Sequence, residues 1–242
     1  MMVVGIVNFI VGLLVGVSGI AGFLLPIFYV SVMQLNTVEA LALSFSTFIV
    51  SGVSGSINYH KAKLLNIKTA LTVSVGSFAA SFLGVKANLL IPEHIMQKVL
   101  YIVVFLSGLS ILLRKNKDRE EGETQNKLVL AAIGFVTGFI CSLSGAGGPI
   151  LVLPILIMLG TEIREAVAIA LCNSIFIGIP AAAGYMLNSN LEIVKPILPA
   201  AIIFHGIGVL IGSSCSSRIN QNLLKKSVAV FSILIASYKL FV

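Results

Sequence analysis

Long runs of the chain carry no ionisable side chain. Asp, Glu, Lys, Arg and His are absent from 1–38, 40–59, 69–85, 99–113, 128–161, 166–191 and 227–238, and 196–217 holds one such residue, His205. A helix needs about 20 apolar residues to cross the hydrocarbon core of a bilayer. The runs therefore predict many spans. Apolar elements fall at roughly 3–17, 20–33, 39–57, 66–86 and 96–113, then at 128–142, 147–159, 163–187, 195–213 and 224–241. In each set of five the first two are short for full spans, and a Ser/Gly-rich break separates them.

The two sets repeat. Shifted by 126 residues, Phe9 meets Phe135 and Gly12 meets Gly138. Ser18-Gly19 meets Ser144-Gly145, Gly22 meets Gly148, Glu39-Ala40 meets Glu165-Ala166, Gly52 meets Gly178 and Tyr59 meets Tyr185. Apolar matches alone carry little weight in so hydrophobic a chain, whereas the Ser-Gly pair, the Glu and the Tyr share one offset. The expectation is an all-α polytopic membrane protein. Its parts are a first transmembrane repeat (1–113), a charged cytoplasmic linker (114–127) and a second repeat (128–242).

Composition sharpens this. Charged residues are 10% of the 242, against about 25% in soluble domains. The longest polar stretch, about 114–127, is too short to fold as a domain, which excludes a nucleic-acid-binding module or a water-facing active site. The net charge of +7 reads as the Lys/Arg excess of cytoplasmic loops. Alternate loops divide the basic residues twelve to four: Lys61, Lys63, Lys68, Arg114, Lys115, Lys117, Arg119, Lys127, Arg164, Arg218, Lys225 and Lys226 against Lys86, Lys98, Lys195 and Lys239. That bias puts both termini outside and the linker inside a cell (inner) membrane. Loop 58–68 then lies inside and its counterpart 187–195 outside, so the repeats are expected to be inverted, as in many carriers with a midplane site. The N-terminus lacks a basic start and an A-x-A-like exit and is not read as a cleaved signal. Cys141, Cys172 and Cys215 are odd in number and sit in apolar surroundings, so no disulfide framework is expected.

The chemistry lies in the breaks. The second half reads Ser142-Leu-Ser144-Gly145-Ala-Gly147-Gly148-Pro149, then Pro154; the first reads Gly16-Val-Ser18-Gly19-Ile-Ala-Gly22, then Pro26. Such clusters of glycine and proline interrupt helices. In lipid a broken helix is tolerated only where it is buried in protein or lines a wet cavity. Each half should therefore carry a helical hairpin with a Gly-rich tip deep in the membrane. The first N–H groups after the tip have no intrahelical acceptor and bear the positive end of the helix dipole. With the Ser18 and Ser144 hydroxyls they form an expected anion site without a formal cation. Gly12, Gly16, Gly134 and Gly138 are instead read as helix-packing glycines.

At this point the string GFVTGFICSLSGAGGPILVLPILIMLG resembles the Gly-rich signature of the TauE/SafE sulfite-exporter family (TSUP), and GLLVGVSGIAGFLLP looks like its degenerate twin, with Ile20 and Ala21 where the family usually shows more glycine. The resemblance spans nearly the whole chain. It implies transport of small sulfur-containing anions such as sulfite, thiosulfate, sulfoacetate or other organosulfonates.

The expected substrate-binding set is Ser18, Gly19, Gly22, Ser46, Thr47, Ser144, Gly145, Gly147, Gly148 and Asn173. Ser46 and Thr47 are repeat mates of Cys172 and Asn173 and, like Asn173-Ser174, lie deep in apolar helices, where polar groups need partners. His205, Glu39 and Glu165 are candidate coupling groups. Glu39 also stands three residues after Asn36, the spacing of a capping box. Tyr59 and His60 read as interface anchors beside Lys61. No nucleophile–base–acid set or metal-ligand spacing is present, so no enzyme chemistry, cofactor or metal is expected. The expected partners are the bilayer and a small anionic sulfur substrate, not nucleic acid. The expected function is a secondary transporter working by alternating access, in the export direction because a negative cell interior drives anions outward. An anion channel, or an uptake carrier coupled to protons or sodium, is the alternative.

Overall fold

The computed structural model describes residues 1–113 and 126–216, together with 226, 229, 230, 233, 234 and 236–238; of Gly148, Pro149 and a few positions in 93–111 only the backbone is described. Most of the expected 114–127 linker and of the element expected at 224–241 lies outside these residues. Within them the fold is helical, with no strand. The order is α1 (Met2–Ser18), a 3-10 turn (Ala21–Phe23) running into α2 (Leu24–Ser31), α3 (Thr37–Lys61), α4 (Ile67–Leu90), α5 (Glu93–Leu112), α6 (Lys127–Ser144), α7 (Gly148–Met158), α8 (Ile163–Asn188) and α9 (Leu191–Cys215). Among the described residues, α3, α4, α6, α8 and α9 are long and apolar enough to cross a membrane. The chain is a multi-pass membrane protein.

Five of the helices, α3, α4, α6, α8 and α9, start where polar side chains take up free backbone N–H groups. Asn36, Asn66, Asn126, Glu162 and Asn190 each accept a hydrogen bond from an N–H of the first turn that follows. At Asn36 the box is complete: Glu39 N donates to Asn36 Oδ1 at 2.9 Å, and Asn36 N donates to Glu39 Oε2 at 3.2 Å. Glu162 Oε2 accepts from the Glu165 N–H at 3.3 Å. The two repeat-mate glutamates thus both lie in capped first turns.

One length differs from expectation. α6 has 18 residues, enough for a span. In the first hairpin both arms stay short of a span, as expected, α1 with 17 residues and the 3-10 turn and α2 with three and eight; in the second only α7, with 11, is short. Apolar sequence runs on through the first arm until glycine stops it, so polarity alone misplaced the end. A rise of 1.5 Å per residue makes the second arm of each hairpin about 16 Å, roughly half of the 30 Å core.

Packing follows small residues. A Cβ on Gly12 or Gly16 would strike the His205 or Val209 carbonyl of α9; one on Gly134 or Gly138 would strike Val73 or Ser77 of α4. These four glycines are therefore contact points between helix backbones, as expected. Gly16 meets Val209 and Ser213 while Gly12 meets His205, so α1 and α9 run parallel; Val73 meets Gly134 and Gly84 meets Phe139 and Leu143, so α4 and α6 also run parallel. The central pair is antiparallel. Gly52 of α3 abuts Leu171 and Ile175 of α8, and Gly178 of α8 abuts Phe45 and Ile49 of α3. Phe45 stacks on Tyr185 beside this crossing, 5.7 Å between ring centroids and 12° between planes.

Candidate functional site

Each hairpin tip is made in the same way. α1 ends at Gly19 (φ 73°, ψ 2°) and α6 at Gly145 (φ 73°, ψ 11°). Both are left-handed, a conformation glycine adopts without a Cβ penalty. Gly19 N donates to Val15 O at 2.8 Å and Gly145 N to Cys141 O at 2.9 Å. The tip serines fix the next bond. Ser18 Oγ donates to Leu14 O at 2.7 Å and accepts from Ile20 N at 3.3 Å; Ser144 Oγ donates to Ile140 O at 2.7 Å and accepts from Ala146 N at 3.3 Å. Each serine hydroxyl hydrogen is thus engaged by its own helix.

A broken helix leaves carbonyls free at its end. In α6, Ser142 O accepts from Tyr185 Oη at 2.7 Å and Leu143 O from Asn88 Nδ2 at 2.7 Å. In α1, Gly16 O accepts from Tyr59 Oη at 3.2 Å. Tyr59 is 1% exposed. It is not the interface anchor its neighbour Lys61 suggested; buried, its hydroxyl needs an acceptor, and the broken helix supplies one. His60 is exposed, as an anchor would be.

The two tips meet. One small cavity is lined by Gly19, Ile20 and Gly22 of the first tip and by Ala146, Gly147 and Ile150 of the second. Phe48, Ser51 and Ser174 close its sides. A Cβ on Gly147 would touch the Phe48 ring at 3.5 Å and the Gly22 carbonyl carbon at 3.9 Å. The space for the centre of a water-sized sphere is about 10 Å³, room for about one water molecule. The Phe48 ring lies between the tips, close to both Gly22 and Gly147.

The other expected site residues divide. Gly145 is buried against Leu41 and Pro26, and Gly148 begins α7 behind Gly147. Ser46 and Thr47 are buried, with hydroxyls bonded to Ala42 O and Ser44 O of their own helix. Asn173 is fully buried, and neither its Oδ1 nor its Nδ2 has a hydrogen-bond partner among the described residues. Such a group carries an uncompensated desolvation cost. His205 is fully buried: Nε2 lies 2.6 Å from Ser51 Oγ and Nδ1 3.2 Å from the backbone oxygen of Asn8. Glu39 and Glu165, in capped first turns, do not line the cavity between the tips.

Phe48 and Ser51 are cavity residues that sequence reasoning missed, as are Val15, Ile20, Ala146, Ile150 and Ser174, which the expected binding set did not include. Ser44, Thr47 and Ser51 recur at helical spacing within one apolar run, so a polar stripe on α3 was readable. Nothing marked Phe48 out from the other phenylalanines.

A polytopic helical bundle with two glycine-tipped broken hairpins meeting in its interior has the architecture of a membrane transporter. The model of the family "Sulfite exporter TauE/SafE" matches residues 4–239, and the chain belongs to this family. Similar proteins include YdhB of Bacillus subtilis, 24% identical over 237 residues (94% of this chain, 95% of the relative). MJ0441 of Methanocaldococcus jannaschii is 26% identical over 236 residues (93% and 88%), and YjnA of Bacillus subtilis 27% identical over 246 residues (95% of each). All three are named probable membrane transporter proteins. No solved structure matches this chain.

Proposed function

We propose that the chain is a secondary transporter for a small sulfur-containing anion, such as sulfite, thiosulfate or an organosulfonate, bound between the two tips. The observation that carries this reading is the single cavity shared by Gly19, Gly22 and Gly147. The first N–H groups of the 3-10 turn and of α7 have no intrahelical acceptor and lie at the positive ends of their dipoles. Glycine leaves them uncovered, so an anion can be held by main-chain donors from both sides. Ser18, Ser144 and Gly145 shape the tips, Gly148 opens α7, and Thr47, Ser46 and Asn173 form the surrounding polar shell. Substrate entry requires Phe48 to withdraw.

Two inverted repeats, 1–113 and 128–242, joined by a cytoplasmic 114–127 linker in the cell membrane, would give alternating access by rocking about this point. The antiparallel crossing of repeat mates α3 and α8 supports that arrangement. An anion crossing alone gains about 2.3 kcal/mol per 100 mV in the outward direction, which makes export the simpler direction. The Ser51–His205 contact favours a second reading, in which a proton travels with the anion and either direction is open.

The test is flux of radiolabelled sulfite and thiosulfate in proteoliposomes, with membrane potential and proton gradient imposed separately. Saturable flux with counterflow stimulation is expected. Single-channel currents without counterflow would make the protein a channel and overturn the carrier reading.

A further inference from the structure

We propose that His205 and Ser51 form a proton-operated switch that turns the Ser51 hydroxyl from acceptor to donor toward the anion cavity. The inference rests on the site reading above and adds a regulating group to it.

The hydrogen bonds fix the chemistry. The Asn8 oxygen facing Nδ1 is a backbone carbonyl, which only accepts, so Nδ1 carries a hydrogen. In the neutral ring Nε2 is then a bare lone pair. At 2.6 Å from Ser51 Oγ it must be met by the serine O–H. Ser51 lines the cavity between the tips. With its hydrogen turned to His205, it shows that cavity only oxygen lone pairs, which repel an anion.

One proton reverses this. A proton on Nε2 makes it the donor, and Ser51 Oγ accepts. The serine hydrogen is released, with two acceptors in reach: Thr47 O, 3.1 Å away in the same helix, or an anion in the cavity. The charged acceptor makes the stronger bond. Anion and proton therefore favour each other. The imidazolium is fully buried and needs a nearby negative charge, and the anion gains, beside the main-chain donors, a hydroxyl donor that only the protonated ring releases.

No other charge in the described surroundings substitutes for the anion. His205 packs against α1 and α3, and the 3-10/α2 arm reaches it through Asn8. α1 contains no ionisable side chain. On α2, Tyr29 Oη bonds the Asn8 side chain, accepting from Nδ2 at 2.9 Å and facing Oδ1 at 3.2 Å. On α3 the ionisable residues are Glu39, Tyr59, His60 and Lys61, two turns or more along the helix from Ser51. On α9 itself, Glu192, Lys195 and Cys215 stand ten or more residues from His205.

The asymmetry of the repeat fits a single switch. At the 126-residue offset the mates of Ser51 and His205 are Ile177 and Ala79, so the second half has no such pair.

The experiment measures thiosulfate binding to the purified protein between pH 5.5 and 8.5. Proton uptake on binding is read by a pH indicator in weak buffer. Thiosulfate stays fully ionised over this range, so protons taken up belong to the protein. The wild type should take up a proton per bound anion, with affinity rising roughly ten-fold per unit fall in pH while His205 is neutral in the free protein. His205→Gln should bind with no pH dependence and no uptake. Ser51→Ala, a milder change that keeps the ring, should lose the same linkage. Thiosulfate binding with no proton uptake in the wild type, or with uptake unchanged in Ser51→Ala, overturns the switch and leaves the transporter reading standing. Failure of the wild type to bind sulfite, thiosulfate or sulfoacetate overturns both.

Discussion

Tyr185 Oη donates to the carbonyl oxygen of Ser142 over 2.7 Å, two residues before the serine at the tip of the second hairpin. In the first half Tyr59 makes the same bond to Gly16, 126 residues earlier at both ends. A hydroxyl from the long central helix thus closes the carbonyl that each break leaves open. Tyr185→Phe should lower thermal stability by about 1–3 kcal/mol, the cost of a buried acceptor left unpaired. Asn88→Leu, which frees Leu143 O, should do the same. Thermal unfolding in detergent measures both. No loss in either variant would mean the break is held by backbone packing alone.

Gly147 has φ 81° and ψ 141°, and its missing side chain faces Phe48. Gly147→Ala should cost about 1–3 kcal/mol in backbone strain, since φ lies where L-residues are rare. Gly147→Leu should in addition fill the cavity and abolish sulfite and thiosulfate flux. Flux retained in Gly147→Leu would move the substrate away from the tips.

Phe48 fills the space between the tips, and its repeat mate is Ser174. Phe48→Ala should enlarge the cavity and raise the flux of sulfoacetate relative to sulfite by about ten-fold, the scale on which apolar pockets discriminate by size. The ratio of the two initial rates measures this. An unchanged ratio would show that Phe48 does not bound the substrate space.

Asn173 holds a fully buried amide with no partner among the described residues. A purely structural amide would find acceptors and donors in the resting protein. Asn173→Leu removes the desolvation cost at similar volume, so the unliganded protein should be equally stable or about 1–3 kcal/mol more so. The anion-induced thermal shift should fall at the same time. Stability lost with the anion response intact would mark Asn173 as a packing residue.

Much of this was readable from the chain because lipid restricts what a backbone can do. Charge-free runs gave the helices, and Gly19 and Gly145 stood at both breaks because only glycine turns a helix end left-handed at no steric cost. The serines beside them were legible as positions but not as bonds. Ser18 and Ser144 were expected as donors to an anion, yet an i−4 carbonyl lies nearer to each hydroxyl. Tyr59 was misread because the adjacent Lys61 suggests an interface, whereas burial depends on which face of α3 meets α1. The Ser51–His205 pair joins residues 154 positions apart, and no local pattern announces it.

The membrane orientation rests on two separate arguments, and one pair of positions tests them together. Ala62, just past the end of α3, and Asn188, the last residue of α8, are mates at the 126-residue offset. Because α3 and α8 cross antiparallel, their C-terminal ends should emerge on opposite faces. The Lys/Arg bias then assigns Ala62 to the cytoplasm and Asn188 to the outside. Both positions are exposed. In intact cells an impermeant maleimide should label Asn188→Cys above the level of the parent chain, and label Ala62→Cys only after permeabilisation. Labelling of both from outside would reject the inverted repeat. The reverse pattern would keep the repeat and invert the orientation, because the geometry fixes only that the two ends differ, while the sign comes from the basic residues.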